Sequence, residues 1–283
     1  MINYTSNYTF SSKGSIIELS VPIVMGIMNI TPDSFYSKSR YNLSDAILKQ
    51  AELMLTEGAT IIDIGAYSSR PGADNIEVQE EINRLDNALS LIRKRFPEAI
   101  LSVDTFRSKV ARFAVNEYGV DIINDISGGT MDNMMFQTVA ELNTTYILMH
   151  IQGTPQNMQN NPFYDNVSME IVTFFSKQIR KLVELGVKDI IIDPGFGFGK
   201  TSEHNFEILS HLEHFQILQK PLLVGLSRKS MIYNTLNSTP EDSLNGTTIL
   251  NTIALQKGAN ILRVHDVKEA VDCIKLVGKL KTN

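Results

Sequence analysis

Cysteine is nearly absent: Cys273 is the only one in 283 residues, so no disulfide framework holds this chain together. It falls in an apolar helical pattern near the C-terminus, which points to a thiol packed in a core rather than a catalytic one. Basic charge is also scarce. The net charge is −5 and Lys and Arg are scattered, which argues against the clustered basic face that nucleic-acid binding needs. Long apolar runs are missing too. None approaches the ~18 residues of a membrane span, and residues 1–10 are polar, without the basic and apolar regions of a signal peptide. We therefore expect a cytoplasmic protein with no membrane or nucleic-acid partner.

A phosphate loop is absent as well, although one stretch invites it. Residues 189–201 read as an apolar run ending in Asp193, then Pro194-Gly195-Phe196-Gly197-Phe198-Gly199-Lys200-Thr201. A phosphate loop needs a glycine five residues before Gly199, and that position is Pro194. The stretch is better read as a buried parallel strand that delivers Asp193 to the mouth of a sheet. Its glycines would let the loop bend closely around a flat ligand.

What is present is a repeating pattern. Strand-like runs fall at 21–28, 60–64, 99–103, 121–126, 145–149, 189–192, 221–226 and 260–264. Segments of helical period lie between them at 44–57, 77–96, 107–117, 168–185, 203–214, 241–257 and 267–280. Gly58, Gly186 and Gly258 stand where left-handed helix caps are expected. Eight such units in a chain near the ~250 residues of one barrel predict a single-domain (β/α)8 TIM barrel at 21–283, preceded by a hairpin or arm at 1–20.

A barrel of this kind carries its site at the C-terminal strand ends. Those ends hold Asn29, Asp63, Asp104, Asn124 with Asp125, His150, Asp193, Ser227-Arg228-Lys229, and Arg263 with His265. Asp104, Asn124 and Asp193 suit a frame for a flat, amide-rich heterocycle, because carboxylates accept from ring N–H groups and Asn both donates and accepts. They could also cap the helices that follow, a role we prefer for Asp63 and Asp125. Arg70, Arg263 and His265 suit a phosphate ester or diphosphate. Lys229 reads either as a Schiff-base nucleophile or as a charge paired with Asp193, and Arg228 as a structural ion-pair residue. Residues 28–35 read equally as a turn and as a lid, and 68–72 as a second candidate lid. His204, His211 and His214 share one predicted helix and read as a surface stripe rather than a zinc site.

Taken in order, Met28-Asn29-Ile30-Thr31-Pro32-Asp33-Ser34-Phe35, Ser69-Arg70-Pro71-Gly72, Ser102-Val103-Asp104-Thr105, Ile123-Asn124-Asp125-Ile126, Met149-His150, the stretch from Asp193 to Lys200, Ser227-Arg228-Lys229-Ser230 and Leu262-Arg263-Val264-His265-Asp266 resemble the successive motifs of the dihydropteroate synthase family. The resemblance runs over about 21–280. It implies a homodimeric (β/α)8 barrel that joins 6-hydroxymethyl-7,8-dihydropterin diphosphate to 4-aminobenzoate, with Mg²⁺ as cofactor. It implies pterin binding by Asp104, Asn124, Met149, Asp193, Gly225 and Lys229. Diphosphate would be held by Asn29, Ser69, Arg70, Arg263 and His265, with Asn29 nearest the metal. 4-Aminobenzoate, for which sulfonamides compete in this family, would meet Phe35, Pro71, Phe196 and Ser230. The catalytic set would be Asn29, Asp33, Arg70, Lys229, Arg263 and His265. Two positions depart from the family: Tyr67 stands where Glu is more usual and Ser69 where Thr is usual, which bears on how the second loop holds diphosphate. The short stretch before the first strand implies a synthase without a fused kinase.

In the mechanism so implied, metal and cations stabilise the departing diphosphate, and the electron-rich dihydropterin tolerates positive charge at its exocyclic methylene. The bond breaks before the weak amine attacks, and the lids exclude water. Two rival readings are a pterin-binding methyltransferase domain and a non-catalytic pterin-binding paralogue. Methyl transfer would identify the first, and pterin binding without turnover the second.

Overall fold

The computed structural model describes residues 8–31, 40–68 and 75–280. It opens with a hairpin, β1 (Thr9–Ser12) and β2 (Ser15–Glu18). Lys13 and Gly14, the two turn residues, both have positive φ (48° and 76°), as a tight hairpin that matches the strands' twist requires.

Eight parallel strands follow in the order expected: β3 (Ile23–Asn29), β4 (Ile61–Gly65), β5 (Ile100–Asp104), β6 (Ile122–Asp125), β7 (Thr145–Met149), β8 (Ile190–Asp193), β9 (Leu223–Val224) and β10 (Ile261–Val264). Their ladder runs β8-β7-β6-β5-β4-β3-β10-β9, and a bridge between Ile192 and Leu222 joins the two ends. This is a (β/α)8 barrel. β9 is shorter than its apolar run because Pro221 has no N–H to give, and the N–H of Leu222 bonds to the Asn260 side chain at 2.9 Å.

The helices are α1 (Arg40–Glu57), α2 (Val78–Arg95), α3 (Ser108–Tyr118), α4 (Met135–Leu142), α5 (Val167–Glu184), α6 (Ser202–Ser210), α7 (Ser230–Thr235), α8 (Leu244–Gln256) and α9 (Val267–Leu280). α5 shows why they form. Val167, Ile171, Phe175, Gln178 and Leu182 recur at helical spacing and are buried, and Asn166 caps the start by accepting from the N–H of Met169. Gly58, Gly186 and Gly258 all have positive φ, as their positions after helices led us to expect.

Two apolar layers result. The outer one, between strands and helices, includes Leu89, Leu101, Ile171 and Phe175. The inner one fills the lower barrel with Met25, Ile61, Ile122, Ile147, Ile191, Leu223 and Ile261, and the hairpin closes it from below with Phe10 and Leu19. A buried phenyl such as Phe10 is worth about 3–5 kcal/mol against alanine. Hydrogen bonds fix the hairpin there: Ser12 Oγ to Asp121 at 2.6 Å and Ser11 N–H to Asp189 at 3.0 Å.

Candidate active site

Alternation along the strands builds the upper barrel from the lower one. Side chains two apart share a face, so the residue two after each apolar plug residue points into the barrel one layer higher. Asp63 follows Ile61, Asn124 follows Ile122, Met149 follows Ile147, Asp193 follows Ile191, Gly225 follows Leu223, and Arg263 follows Ile261. Parallel register then sets Asn29 beside Gly65, Gly65 beside Asp104, and Asp104 beside Asn124.

Arg263 sits at the centre of this layer. Its Nε donates to Asp63 at 2.7 Å and its Nη2 to Asp104 at 2.8 Å. Asp63 is also held by Ser102 Oγ at 2.6 Å and Asn124 Nδ2 at 3.0 Å. Burial works against the charge on Arg263, but the carboxylates of Asp63 and Asp104 more than offset it and raise its pKa. Burial pushes Asp104 up to about 7, against the pull of Arg263. Asp63 therefore does more than cap a helix, because it orients both Arg263 and Asn124. Asp125 does not cap the next helix, which starts at Met135: it accepts from the N–H groups of Ser127 and Gly129, in the turn after β6, and from Tyr146.

Above this layer opens a narrow cleft lined by Asn124, Ile126, Met149, Asp193, Gly195, Phe196, Phe198, Gly225, Lys229 and Arg263. Asp193 is only 5% exposed. Its Oδ1 accepts from Gly195 N–H at 2.7 Å, and its pKa is raised by burial despite that bond and the nearby Arg263 and Lys229. Lys229 forms no ion pair with Asp193 among the described residues. Its ammonium lies 4.3 Å from the centre of the Phe198 ring instead. Burial, and then Arg263, lower its pKa to about 8.

The glycines after Asp193 serve packing more than ligand approach. Gly195 has φ +71°, and a Cβ there would stand 2.0 Å from His150 O. One on Gly199, at φ +63°, would stand 2.4 Å from Gln152 O. The loop thus lies directly on the chain that follows β7. Phe196 points into the helix-facing core at 1% exposure, whereas Phe198 joins Tyr67, Phe106, Ile126, Met149, Ile151 and Met158 in an apolar wall at the mouth. Phe198 and Ile126 were missed in the sequence. For Ile126 the signal was its place beside Asn124 and Asp125; for Phe198 the alternating Gly-Phe pattern gave no means of choosing between two rings.

His265 lies outside the cleft lining. Its Nδ1 is 3.0 Å from Ser227 Oγ. Crowding by protein, and then Arg263 and Arg228, lower its pKa to about 4. Arg228 pairs with Asp266 at 2.6 Å, as the sequence led us to expect. Ser230 is exposed at the start of α7, directly after Lys229. Asn29 and Asp104 flank Gly65, where a Cβ would sit 3.6 Å from Asn29 Oδ1 and 3.5 Å from Asp104 Cβ. Of the three histidines at 204, 211 and 214, His204 completes a capping box with Thr201. The rings of His211 and His214 lie 5.2 Å apart. Asp33, Phe35, Ser69, Arg70 and Pro71 lie outside the described residues.

Tyr67, one of the two departures, packs edge-on against Phe106 at 5.1 Å and accepts from Gln156 Nε2 at 3.0 Å. The Arg107 guanidinium lies over both rings and pairs with the buried Glu81 at 2.8 Å.

A recess lined by one carboxylate, an amide and two cations, with an apolar wall above, defines a barrel enzyme that takes a flat, polar heterocycle. The family described as pterin binding enzyme matches residues 25–265. Dihydropteroate synthase of Escherichia coli (strain K12) is 43% identical over 269 residues, 94% of each chain. That of Haemophilus influenzae is 43% identical over 267 residues, 94% of this chain and 96% of the other. The structure of Yersinia pestis dihydropteroate synthase with a sulfonamide drug superposes with a TM-score of 0.91 at 39% identity, covering 98% of this chain and 100% of that one. The chain belongs to the dihydropteroate synthase family.

Proposed function

We propose that this chain condenses 6-hydroxymethyl-7,8-dihydropterin diphosphate with 4-aminobenzoate to give 7,8-dihydropteroate and diphosphate, a step of folate synthesis. The observation that carries the reading is the convergence of Asn124, Asp193, Lys229 and Arg263 on one cleft in a chain 43% identical to a dihydropteroate synthase.

The pterin lies in the cleft. Its ring N–H and amino groups donate to Asp193, Asn124 bridges donor and acceptor edges, and Lys229 donates from above. Met149 and Gly225 bound the ring plane, Gly225 by giving it room. Asp104 acts chiefly by holding Arg263, whose Nη1 neither carboxylate uses. Arg263 and the Nε2 side of His265 receive the diphosphate, together with Asn29, Ser69 and Arg70. The leaving group departs with the bonding pair, and the aromatic amine then attacks the exocyclic methylene and gives up a proton. Phe35, Pro71 and Ser230 shape the approach of 4-aminobenzoate, and the Phe198 ring suits this task better than the buried Phe196. Asp33 belongs to the catalytic set with Asn29, Arg70, Lys229, Arg263 and His265.

Magnesium fits the residues present only as a shared ion. Asn29 Oδ1 offers one neutral oxygen beside the gap at Gly65, and among the described residues no three His, Cys, Asp or Glu side chains cluster. Mg²⁺ binds by few protein oxygens plus substrate phosphate and water, so Asn29 would hold it on one side. When bound, it neutralises charge on the diphosphate. The homodimer implied by the resemblance and the cytoplasmic location expected from the sequence belong to the same reading, and sedimentation equilibrium tests the first.

The deciding experiment mixes the pterin diphosphate, 4-aminobenzoate and Mg²⁺ with the protein and measures dihydropteroate. Pterin binding without product would mark a binding paralogue and overturn the reading.

A further inference from the structure

The Gly199-Lys200-Thr201 tail that fails as a phosphate loop leaves a lysine with no task in the reaction above. Lys200 is 3% exposed. Its Nζ lies 2.9 Å from Gly195 O, 2.9 Å from Phe198 O, 3.2 Å from His150 O and 3.1 Å from His150 Nδ1. All four are neutral acceptors; the nearby Asp193 carboxylate favours the charge, and burial outweighs it and lowers the Lys200 pKa to about 7.

The groups it holds border the cleft on two sides. Gly195 gives its N–H to Asp193, Phe198 carries the ring under the Lys229 ammonium, and His150 directly follows Met149. The loop between β8 and α6 has little regular bonding of its own. At its rim Tyr164 donates to Gly199 O and Gln159 to Gly197 O, each at 2.8 Å. Lys200 holds it from beneath at two of its carbonyls, Gly195 O and Phe198 O, and ties it to His150 O after β7.

We propose that Lys200 is a positioning residue: its ammonium fastens the loop after β8 to the end of β7 and so fixes the Phe198 ring beneath Lys229. For substrate the inference rests on the function proposed above. Asp193 and Asn124 lie on strand ends, deeper than the loop, so the ligand that arrives over the bound pterin is the one that meets Phe198.

The test compares wild type with Lys200→Met, which removes every donor, and Lys200→Arg, which keeps them. In the ligand-free protein the ε-methylene protons of Lys229 are expected to show an upfield ring-current NMR shift from Phe198, to lose it in Lys200→Met and to regain part of it in Lys200→Arg. In steady state, Lys200→Met should raise KM for 4-aminobenzoate about 10-fold or more and raise KM for the pterin diphosphate by less, with kcat within about threefold. If Lys200→Met does not fold, His150→Leu removes one acceptor and should move both readouts less, in the same direction. A folded Lys200→Met with the wild-type Lys229 shift and KM values would mean a purely structural role and overturn the inference, as would an unmoved shift in His150→Leu. Failure of the functional reading looks different: wild type would form no dihydropteroate while the Lys229 shift still separated it from Lys200→Met.

Discussion

Ser227 Oγ stands 3.0 Å from Nδ1 of His265 and accepts that residue's own main-chain N–H at 3.2 Å. The hydroxyl proton is free for Nδ1, and we expect it there, which puts the imidazole hydrogen on Nε2. With its pKa lowered to about 4, the ring is neutral in ordinary buffers and serves as a donor rather than a cation. Ser227→Ala should let the two tautomers mix. We expect KM for the pterin diphosphate to rise about 3- to 10-fold, with affinity for the bare pterin within about twofold. Nitrogen NMR of His265 should show Nδ1 partly protonated at neutral pH; an unchanged Nε2–H tautomer would remove Ser227 from this role.

Lys229 should set an alkaline limit on pterin binding. Its ammonium is the donor form, and its pKa is lowered to about 8, so affinity should be full below that pH and fall as pH rises through it. The slope should approach about tenfold per pH unit. Lys229→Arg should bind more weakly at neutral pH but lose the fall near 8, because guanidinium stays charged. Titrations of pterin from pH 6.5 to 9.5 on both proteins decide the matter. If the same limb persists in Lys229→Arg, another group titrates, and Lys200 and Asp104, each shifted to about 7 mainly by burial, are the candidates.

Much of this was legible in the sequence because alternation is local. An apolar residue followed two places later by a polar one, as at Ile61 and Asp63, Ile122 and Asn124, Ile191 and Asp193, and Ile261 and Arg263, marks the layer above the plug on four of the eight strands. The Arg263 network was not legible, since its partners lie 200 and 159 residues away. Only closure of the barrel brings them together. α4 escaped notice because it has eight residues and no side-chain cap at Met134, and α7 because six residues carry hardly any periodicity. Lys200 was hidden by its neighbours: a Gly-Lys-Thr tail points to phosphate, and nothing local tells that its acceptors are carbonyls.

Removing Arg107 should unmask a buried charge. Glu81 is wholly buried, accepts from Arg107 at 2.8 Å and from Thr105 at 2.7 Å, and has its pKa raised chiefly by burial. Arg107→Ala leaves that carboxylate with the hydroxyl alone and should cost about 3–5 kcal/mol in urea unfolding at neutral pH. The double variant Glu81→Leu/Arg107→Met should recover most of the loss, because an apolar pair of similar volume replaces both charges. A loss under about 1 kcal/mol in the single variant would show that the pair contributes no more than an exposed one.

His150 should make the fold sensitive to acid, and the sign follows from linkage. Burial, and then the Lys200 charge 3.1 Å away, lower its pKa from 6.5 to about 2. Between those values the unfolded chain takes up a proton that the folded one refuses, so stability falls as pH falls through this window. The limiting slope for one such group is about 1.4 kcal/mol per pH unit. His265, lowered to about 4, adds a share of the same sign between 6.5 and 4. Asp104, raised to about 7, and Asp125, Asp193 and Glu81, also raised, act oppositely. There the folded chain keeps protons the unfolded one gives up, so they favour folding as pH falls. Wild type alone therefore shows only the balance, and a variant is needed to isolate His150. His150→Asn places an amide oxygen where Nδ1 was, keeps an acceptor for Lys200, and cannot be protonated. Urea unfolding at pH 7.5, 6.5, 5.5 and 4.5 should find the variant no more stable than wild type at the top of this range. The gap should close or reverse as pH falls below 6.5, by up to about 1.4 kcal/mol for each unit. Parallel curves would mean that His150 does not stay neutral in the folded chain for the reason given.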